Sequence, residues 1–293
     1  MRTGVVGAGA IGRGFVASLL RAGFPVAVYD VDPAAAAAAG GKQVTSLEEL
    51  ARESEVLLLA LPDTPQIEEV LAGGLEAGLR PNSVVVVTST VSPDTPRELE
   101  RRLAPAGVHV LDVPVSGGPV RAAAGELAMM AGGPPEVFER CRPVLEALSG
   151  HLVHVGPTGH GELAKLVNNL IGAVIVEAIA EGLTLAARAG GDVRTISEAI
   201  AGGSGSSWIL REWIPETVFR GDYDRRFSLD LMRKDMGLIR ELAAPLGVET
   251  PALDVAAAAF DRAVADGYGD RDFSLVVALR AGADLPADMQ HEE

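Results

Sequence analysis

The sequence predicts an α/β domain built on a doubly wound parallel sheet, followed by an all-α C-terminal domain. Three observations predict it. Short β-branched runs alternate with helical stretches through the first half, the pattern of βαβ units. A G-x-G-x-x-G, Gly7-Ala8-Gly9-Ala10-Ile11-Gly12, stands between the first run and the first helix, as in a Rossmann-type sheet. After Gly156 no further strand run occurs and only long helical periodicities follow. The boundary is therefore expected near residue 157, with domains over 1–157 and 158–293.

The expected strands are VVG (5–7), PVAVYD (25–30), VLLLAL (56–61), SVVVVTS (83–89), VHVLDVP (108–114), LAMMAGG (127–133) and HLVHVG (151–156). Each is short, β-branched and bounded by Gly, Pro or Asp. Between them IGRGFVASLLRAG, DPAAAAAAG, SLEELARE, DTPQIEEVLAG, SPDTPRELERRLA and PPEVFERCRPVLEALSG read as helices, several opening at Ser or Asp beside Pro and several closing at Gly. The second half predicts helices over 160–189, 192–201, roughly 206–220, 228–246, 251–266 and 273–281.

The chain is 48% hydrophobic but only 4% aromatic, so its core is expected to be Ala, Val, Leu and Ile. A net charge of −15 argues against nucleic acid or an anionic membrane as partner. The apolar region 163–187 carries Lys165, Asn168, Asn169, Glu177 and Glu181, a load expected of a buried helix in a soluble protein rather than a membrane span. The N-terminus lacks the pattern of a signal peptide, and the expected address is cytoplasmic. Cys141, the sole cysteine, allows no intrachain disulfide and reads as incidental.

In the glycine loop, Gly7 permits a tight turn, Gly9 lets the backbone approach a pyrophosphate and Gly12 allows close helix–strand packing. The helix that follows offers its N–H groups to phosphate oxygens. Asp30 ends the second strand 18 residues after Gly12, where an acid accepts from a ribose 2′-hydroxyl and repels a 2′-phosphate. The expected cofactor is NAD rather than NADP. Leu61, Pro62 and Thr90 end two further strands at the same edge. Leu61 and Pro62 are expected to wall the cofactor, and Thr90 to bond its nicotinamide ribose or amide; a plain surface loop is the alternative for each.

Two features point to chemistry. Ser116-Gly117-Gly118 follow a strand, and consecutive glycines with a hydroxyl suit a small carboxylate, a tight turn being the alternative. Then GELAKLVNN (161–169) holds one of only three lysines and two of only three asparagines in a chain that otherwise uses arginine. On a helix, Lys165 and Asn169 share a face. Asn is unfavourable mid-helix, so Asn168 and Asn169 need partners, either as a structural amide pair or against a ligand. A lysine amine can release its proton when its surroundings lower its pKa from about 10.4, which a guanidinium does not do. Lys234 is either an exposed helix cation or a residue facing the cofactor or substrate, and GGSGSSW (202–208) either a turn or a loop over the cleft.

Taken together, VVGAGAIG, Asp30, TSTVSP (88–93), DVPVSGGPVRAAAGEL (112–127), GHGELAKLVNN (159–169), LMRKD (231–235) and GYGDRDFS (267–274) resemble the β-hydroxyacid dehydrogenase family over essentially the whole chain. The resemblance implies that Ser116, Gly117 and Gly118 hold a substrate carboxylate, Lys165 is the acid/base and Asn169 orients the substrate. It also implies that Thr90 binds NAD and Lys234 lies near the nicotinamide. The segment GSGSSWILREW departs from what a strict 3-hydroxyisobutyrate enzyme would carry, which leaves the substrate open.

The expected reaction is reversible oxidation of a small β-hydroxy acid to a semialdehyde or keto acid, with no metal. Two alternatives stand: an imine or ketimine reductase, against which Lys165 counts, and a non-catalytic NAD-binding interaction module. A homodimer or homotetramer is expected, because the 163–187 helix is apolar on nearly every face.

Overall fold

The computed structural model describes residues 1–282, which form two compact units, Met1–Lys165 and the residues from Leu166 onward. The first unit contains nine strands: β1 (Thr3–Val6), β2 (Val26–Tyr29), β3 (Lys42–Gln43), β4 (Val56–Leu59), β5 (Val84–Val87), β6 (His109–Asp112), β7 (Val115–Ser116), β8 (Leu127–Gly132) and β9 (Ser149–Gly156). Its helices are α1 (Ala10–Arg21), α2 (Pro33–Ala38), α3 (Leu47–Glu53), α4 (Thr64–Val70), α5 (Glu76–Gly78), α6 (Asp94–Leu103), α7 (Gly118–Ala124) and α8 (Pro135–Glu146).

The sheet runs in the order β3-β2-β1-β4-β5-β6-β8-β7, with β9 on β8. The chain leaves β1 towards β2 and returns towards β4, so the strand order reverses beside β1, where such sheets bind ligands at their carboxyl edge. β1, β2, β4, β5 and β6 pair in parallel. Alternation along the pleat sends Val5, Val28, Leu58 and Val86 into one apolar layer and Val6, Leu57, Leu59 and Val85 into the opposite one.

The wholly parallel sheet expected from the sequence holds only as far as β6. β8 is antiparallel to both β6 and β7. A two-residue strand and an unanticipated helix, α7, follow β6 before the chain returns as β8. β7 pairs antiparallel with β8 as well, so the chain turns back on itself here instead of crossing over to a parallel neighbour.

The second unit is helical. The helix α9 (His160–Arg188) begins in the first unit and continues into the second, followed by α10 (Val193–Ala201), α11 (Ile214–Glu216), α12 (Leu229–Ala243), α13 (Pro251–Ala263) and α14 (Leu275–Ala281). The helix expected over 206–220 is instead a π-helical turn at Ile209–Trp213, then α11 and a 3₁₀ turn at Val218–Arg220. Pro215 lies at the start of α11 and has no N–H to carry the ladder through.

In the second unit α9 buries Leu166, Ala173, Val176, Ala180 and Leu183 against Met232, Met236 and Ile239 of α12 and Phe260 of α13. Its opposite face is exposed: Val167, Ile171 and Leu185 are 47%, 52% and 72% exposed. By length and composition alone α9 is long and apolar enough to cross a membrane.

Candidate active site

The glycine loop follows β1. Gly7 has φ +92°, and a Cβ there would lie 2.4 Å from the Ala60 carbonyl oxygen at the end of β4. Gly12 admits no side chain because a Cβ would collide with the Gly7 carbonyl. Gly9 is different: a Cβ there would meet nothing within 4 Å, and the residue stands at the N-cap of α1 without a side-chain cap. The three glycines thus serve a turn, an open approach and a close packing. The N–H groups of Ala10 and Ile11 in the first turn of α1 have no intrahelical acceptor, the arrangement that receives phosphate.

Asp30 is joined to that loop. Its Oδ2 accepts from the Ala8 N–H at 2.6 Å and its Oδ1 from the Asp32 N–H at 2.8 Å. Each oxygen keeps further acceptor capacity for a ribose hydroxyl. Ala8 is buried and Ile11 packs partly buried against the same core. Leu61 is half-buried beside Gly7, and Pro62 is exposed. These residues fit a dinucleotide.

Ser116 ends β7, and Gly117 (φ +133°) and Gly118 (φ +72°) turn the chain into α7, whose N-terminus also lacks a side-chain cap. Both glycines occupy backbone conformations that favour the absence of a Cβ. α7 packs on α1: a Cβ on Gly14 would lie 2.6 Å from the Ala122 Cβ, Ser18 Oγ donates to the Ala122 carbonyl at 2.9 Å, and Arg21 reaches the Ala123 carbonyl at 3.0 Å. Gly14, Ser18 and Arg21 of α1 all meet Ala122 and Ala123, so it is the C-terminal part of α7 that is pinned to α1.

The start of α9 is held to this edge by two buried acids. Asp112, the last residue of β6, accepts from the N–H of Gly159 at 2.8 Å and of Glu162 at 2.9 Å. Burial pushes its carboxyl above the ordinary range, while the backbone donors pull it back. Glu162 in turn accepts from the Val91 N–H at 3.1 Å, beside Thr90, which is half-buried. Gly161 completes the junction, since a Cβ there would lie 2.4 Å from the Asp112 carbonyl oxygen. One turn further, Lys165 is 5% exposed.

Asn169 is one more turn along the same face of α9 and 4% exposed. Its Nδ2 donates to Asp235 Oδ2 at 2.5 Å, and its Oδ1 accepts from Asn168 Nδ2 at 3.0 Å. Asp235, nearly fully buried on α12, also pairs with Lys234 Nζ at 3.2 Å. The geometry brings Asn168, Asn169 and Lys234 together through a residue that the sequence reading did not single out. Asp235 positions Asn169 and leaves one amide N–H of that side chain free of these contacts. The one available signal was the adjacent Lys234-Asp235 pair, which reads equally as a solvated helix surface.

Cys141 is buried in α8, where burial pushes its thiol up to about 11. Among the described residues, no group of three or more His, Cys, Asp or Glu is placed to hold a metal ion.

Comparison with known proteins shows which family the chain belongs to. Residues 2–156 match the family model of the NAD-binding domain of 6-phosphogluconate dehydrogenase. Residues 159–280 match that described as NAD-binding of NADP-dependent 3-hydroxyisobutyrate dehydrogenase. The chain is 36% identical to an L-threonate dehydrogenase of Cupriavidus necator, covering 97% of each. It is 32% identical to an NAD-dependent L-serine dehydrogenase of Pseudomonas aeruginosa, covering 94% of this chain and 96% of that one. The solved 3-hydroxyisobutyrate dehydrogenase of Mycobacterium tuberculosis with L-serine superposes with a TM-score of 0.86 at 33% identity, over 94% of this chain and 98% of that one.

Proposed function

The chain belongs to the β-hydroxyacid dehydrogenase family and is a nicotinamide-dependent oxidoreductase of that class, and from that premise we propose that it oxidises a small β-hydroxy acid with NAD, reversibly, using Lys165 as general acid/base. The observation that carries the reading is the buried pair Lys165 and Asn169 on one face of α9, in a chain that otherwise uses arginine for positive charge.

Bound NAD supplies the hydride acceptor. In the forward direction the unprotonated Lys165 amine takes the proton of the substrate hydroxyl; in the reverse direction it returns it. Asn169, its amide held by Asp235 and Asn168, donates to the reacting oxygen and keeps it in line with the amine. The N–H groups of Gly117 and Gly118 and the Ser116 hydroxyl receive the substrate carboxylate. Glycine loop and Asp30 hold the dinucleotide, with Leu61 and Pro62 as a wall, Thr90 at the nicotinamide ribose or amide, and Lys234 nearby. Asp30 favours NAD because its charge opposes a 2′-phosphate.

The relatives act, by name, on L-threonate, L-serine and 3-hydroxyisobutyrate, which supports a compact carboxylate substrate of three to five carbons. A soluble, cytoplasmic homo-oligomer, dimer or tetramer, is part of the same reading, supported by the exposed apolar stripe of α9. No observation favours an imine reductase or a non-catalytic module over it. Steady-state oxidation of 3-hydroxyisobutyrate, L-serine, L-threonate and 3-hydroxypropionate with NAD and with NADP tests the proposal. Turnover of at least one acid, faster with NAD, is expected; absence of turnover with all four would overturn it.

A further inference from the structure

Gly172 is an interior glycine of α9, seven residues beyond Lys165 and three beyond Asn169. At 100° per residue, positions 165, 169 and 172 fall within an arc of about 60°, on one stripe roughly 10 Å long. Glycine is the least favoured helix-interior residue after proline, so its presence there needs a reason.

Packing within the chain does not give that reason. A Cβ on Gly161, at the head of the same helix, would lie 2.4 Å from a carbonyl oxygen. A Cβ on Gly172 would meet only Ile209 Cδ1, at 3.7 Å, an ordinary van der Waals contact. The gap between Gly172 and Ile209 is therefore one methyl group wide. Ile209 opens the π-helical turn that follows the GGSGSSW segment, and that turn is held firmly. Trp213 donates Nε1 to the buried Asp272 at 2.9 Å and packs on Phe273 and Trp208 at 5.3 and 5.6 Å. Both tryptophans of the chain stand in this short stretch.

We infer that Gly172 and Ile209 form the slot that receives the substrate's C2 substituent, and that they limit it to the size of a methyl, amino or hydroxyl group. This rests on the proposed β-hydroxy acid oxidation. It assigns substrate selection to the 202–213 segment through Ile209, and accounts for a helix glycine one turn from the residue that orients the substrate. An alanine Cβ at 172 occupies the slot itself and selects against substituted acids. Shortening Ile209 deepens it.

The test compares the parent, Gly172→Ala, Ile209→Ala and Gly182→Ala. Gly182 is a second interior glycine of α9, about 100° round the helix from Lys165, where a Cβ would meet nothing within 4 Å. Each is assayed for kcat/KM on 3-hydroxypropionate, which lacks a C2 substituent, and on 3-hydroxyisobutyrate, L-serine and L-threonate. Tm and oligomeric state are recorded alongside. Gly172→Ala is expected to lower kcat/KM for the substituted acids relative to 3-hydroxypropionate by at least about 10-fold, the discrimination one methylene-sized change commands. Its Tm should not fall. Ile209→Ala should move the ratio towards a fifth acid, 2-(hydroxymethyl)butyrate, whose C2 ethyl group is one carbon longer than the methyl of 3-hydroxyisobutyrate, and Gly182→Ala should leave it within twofold of the parent. An active parent whose substrate ratio is unchanged in Gly172→Ala would overturn the slot and leave the proposed function standing. A parent that turns over none of the four acids would overturn both.

Discussion

At the scale of single residues, the groups proposed to handle ligand are held in place by others that do not themselves carry the proposal. Gly7, Gly9 and Gly12 were legible in the sequence because each faces a different steric demand, and the structure shows a turn, an open approach and a close contact. Asp235 was not legible: a carboxylate beside a lysine on a helix reads as solvent-facing, and only the fold shows it buried against Asn169. Asp30, held by two backbone N–H groups, should give kcat/KM with NAD at least ~10-fold above that with NADP, equivalent to ~1.4 kcal/mol. Equal or better turnover with NADP would contradict that role. Cys141 is buried with its thiol raised to about 11, so at pH 8 its thiolate fraction is on the order of 10⁻³. Alkylation should be negligible in the native enzyme and complete in denaturant; ready labelling of the folded protein by mass spectrometry would show that α8 opens.

At the scale of elements, the central device is the junction that starts α9. Asp112 and Glu162 set where Lys165 stands, one turn along. Asp112→Asn turns one of two accepting oxygens into a donor that faces an N–H. The cost should be about 1–3 kcal/mol, the penalty for an unsatisfied buried polar group. That corresponds to about 2–4 °C in Tm per kcal/mol for a unit of this size. Because Lys165 and Asn169 shift with the helix, kcat should fall more than KM changes; a lower Tm with unaltered kcat would make Asp112 a stability residue only. The core strands were readable because four-residue β-branched runs between Gly and Asp have few other folds open to them. The stretch between Val113 and Glu126 was not, because Gly-Gly and an alanine run specify neither a two-residue strand nor the short helix that the antiparallel return requires.

At the scale of the molecule, the sequence and the fold agree on an α/β half and an α half, with α9 passing from one compact unit into the other. The 163–187 segment was read as apolar on nearly every face, and the structure shows which apolar side chains on it are exposed: Val167, Ile171 and Leu185 among them. A stripe of that length calls for another surface, and a second copy is the proposed one. Light scattering at micromolar concentration should give at least a dimer, and Ile171→Glu should weaken it. A monomeric parent would contradict the assembly.

Lys165 either moves a proton or only supplies charge, and the kinetics of Lys165→Arg separate the two. Guanidinium keeps the charge and stays protonated. If Lys165 is the acid/base, kcat for the best hydroxy acid should fall roughly 10²–10⁴-fold in Lys165→Arg, nearly as far as in Lys165→Ala. The rise of the parent's oxidation rate with pH should vanish in both, while NAD affinity changes little. Substantial activity in Lys165→Arg, with the parent's pH profile intact, would show that another group carries the proton.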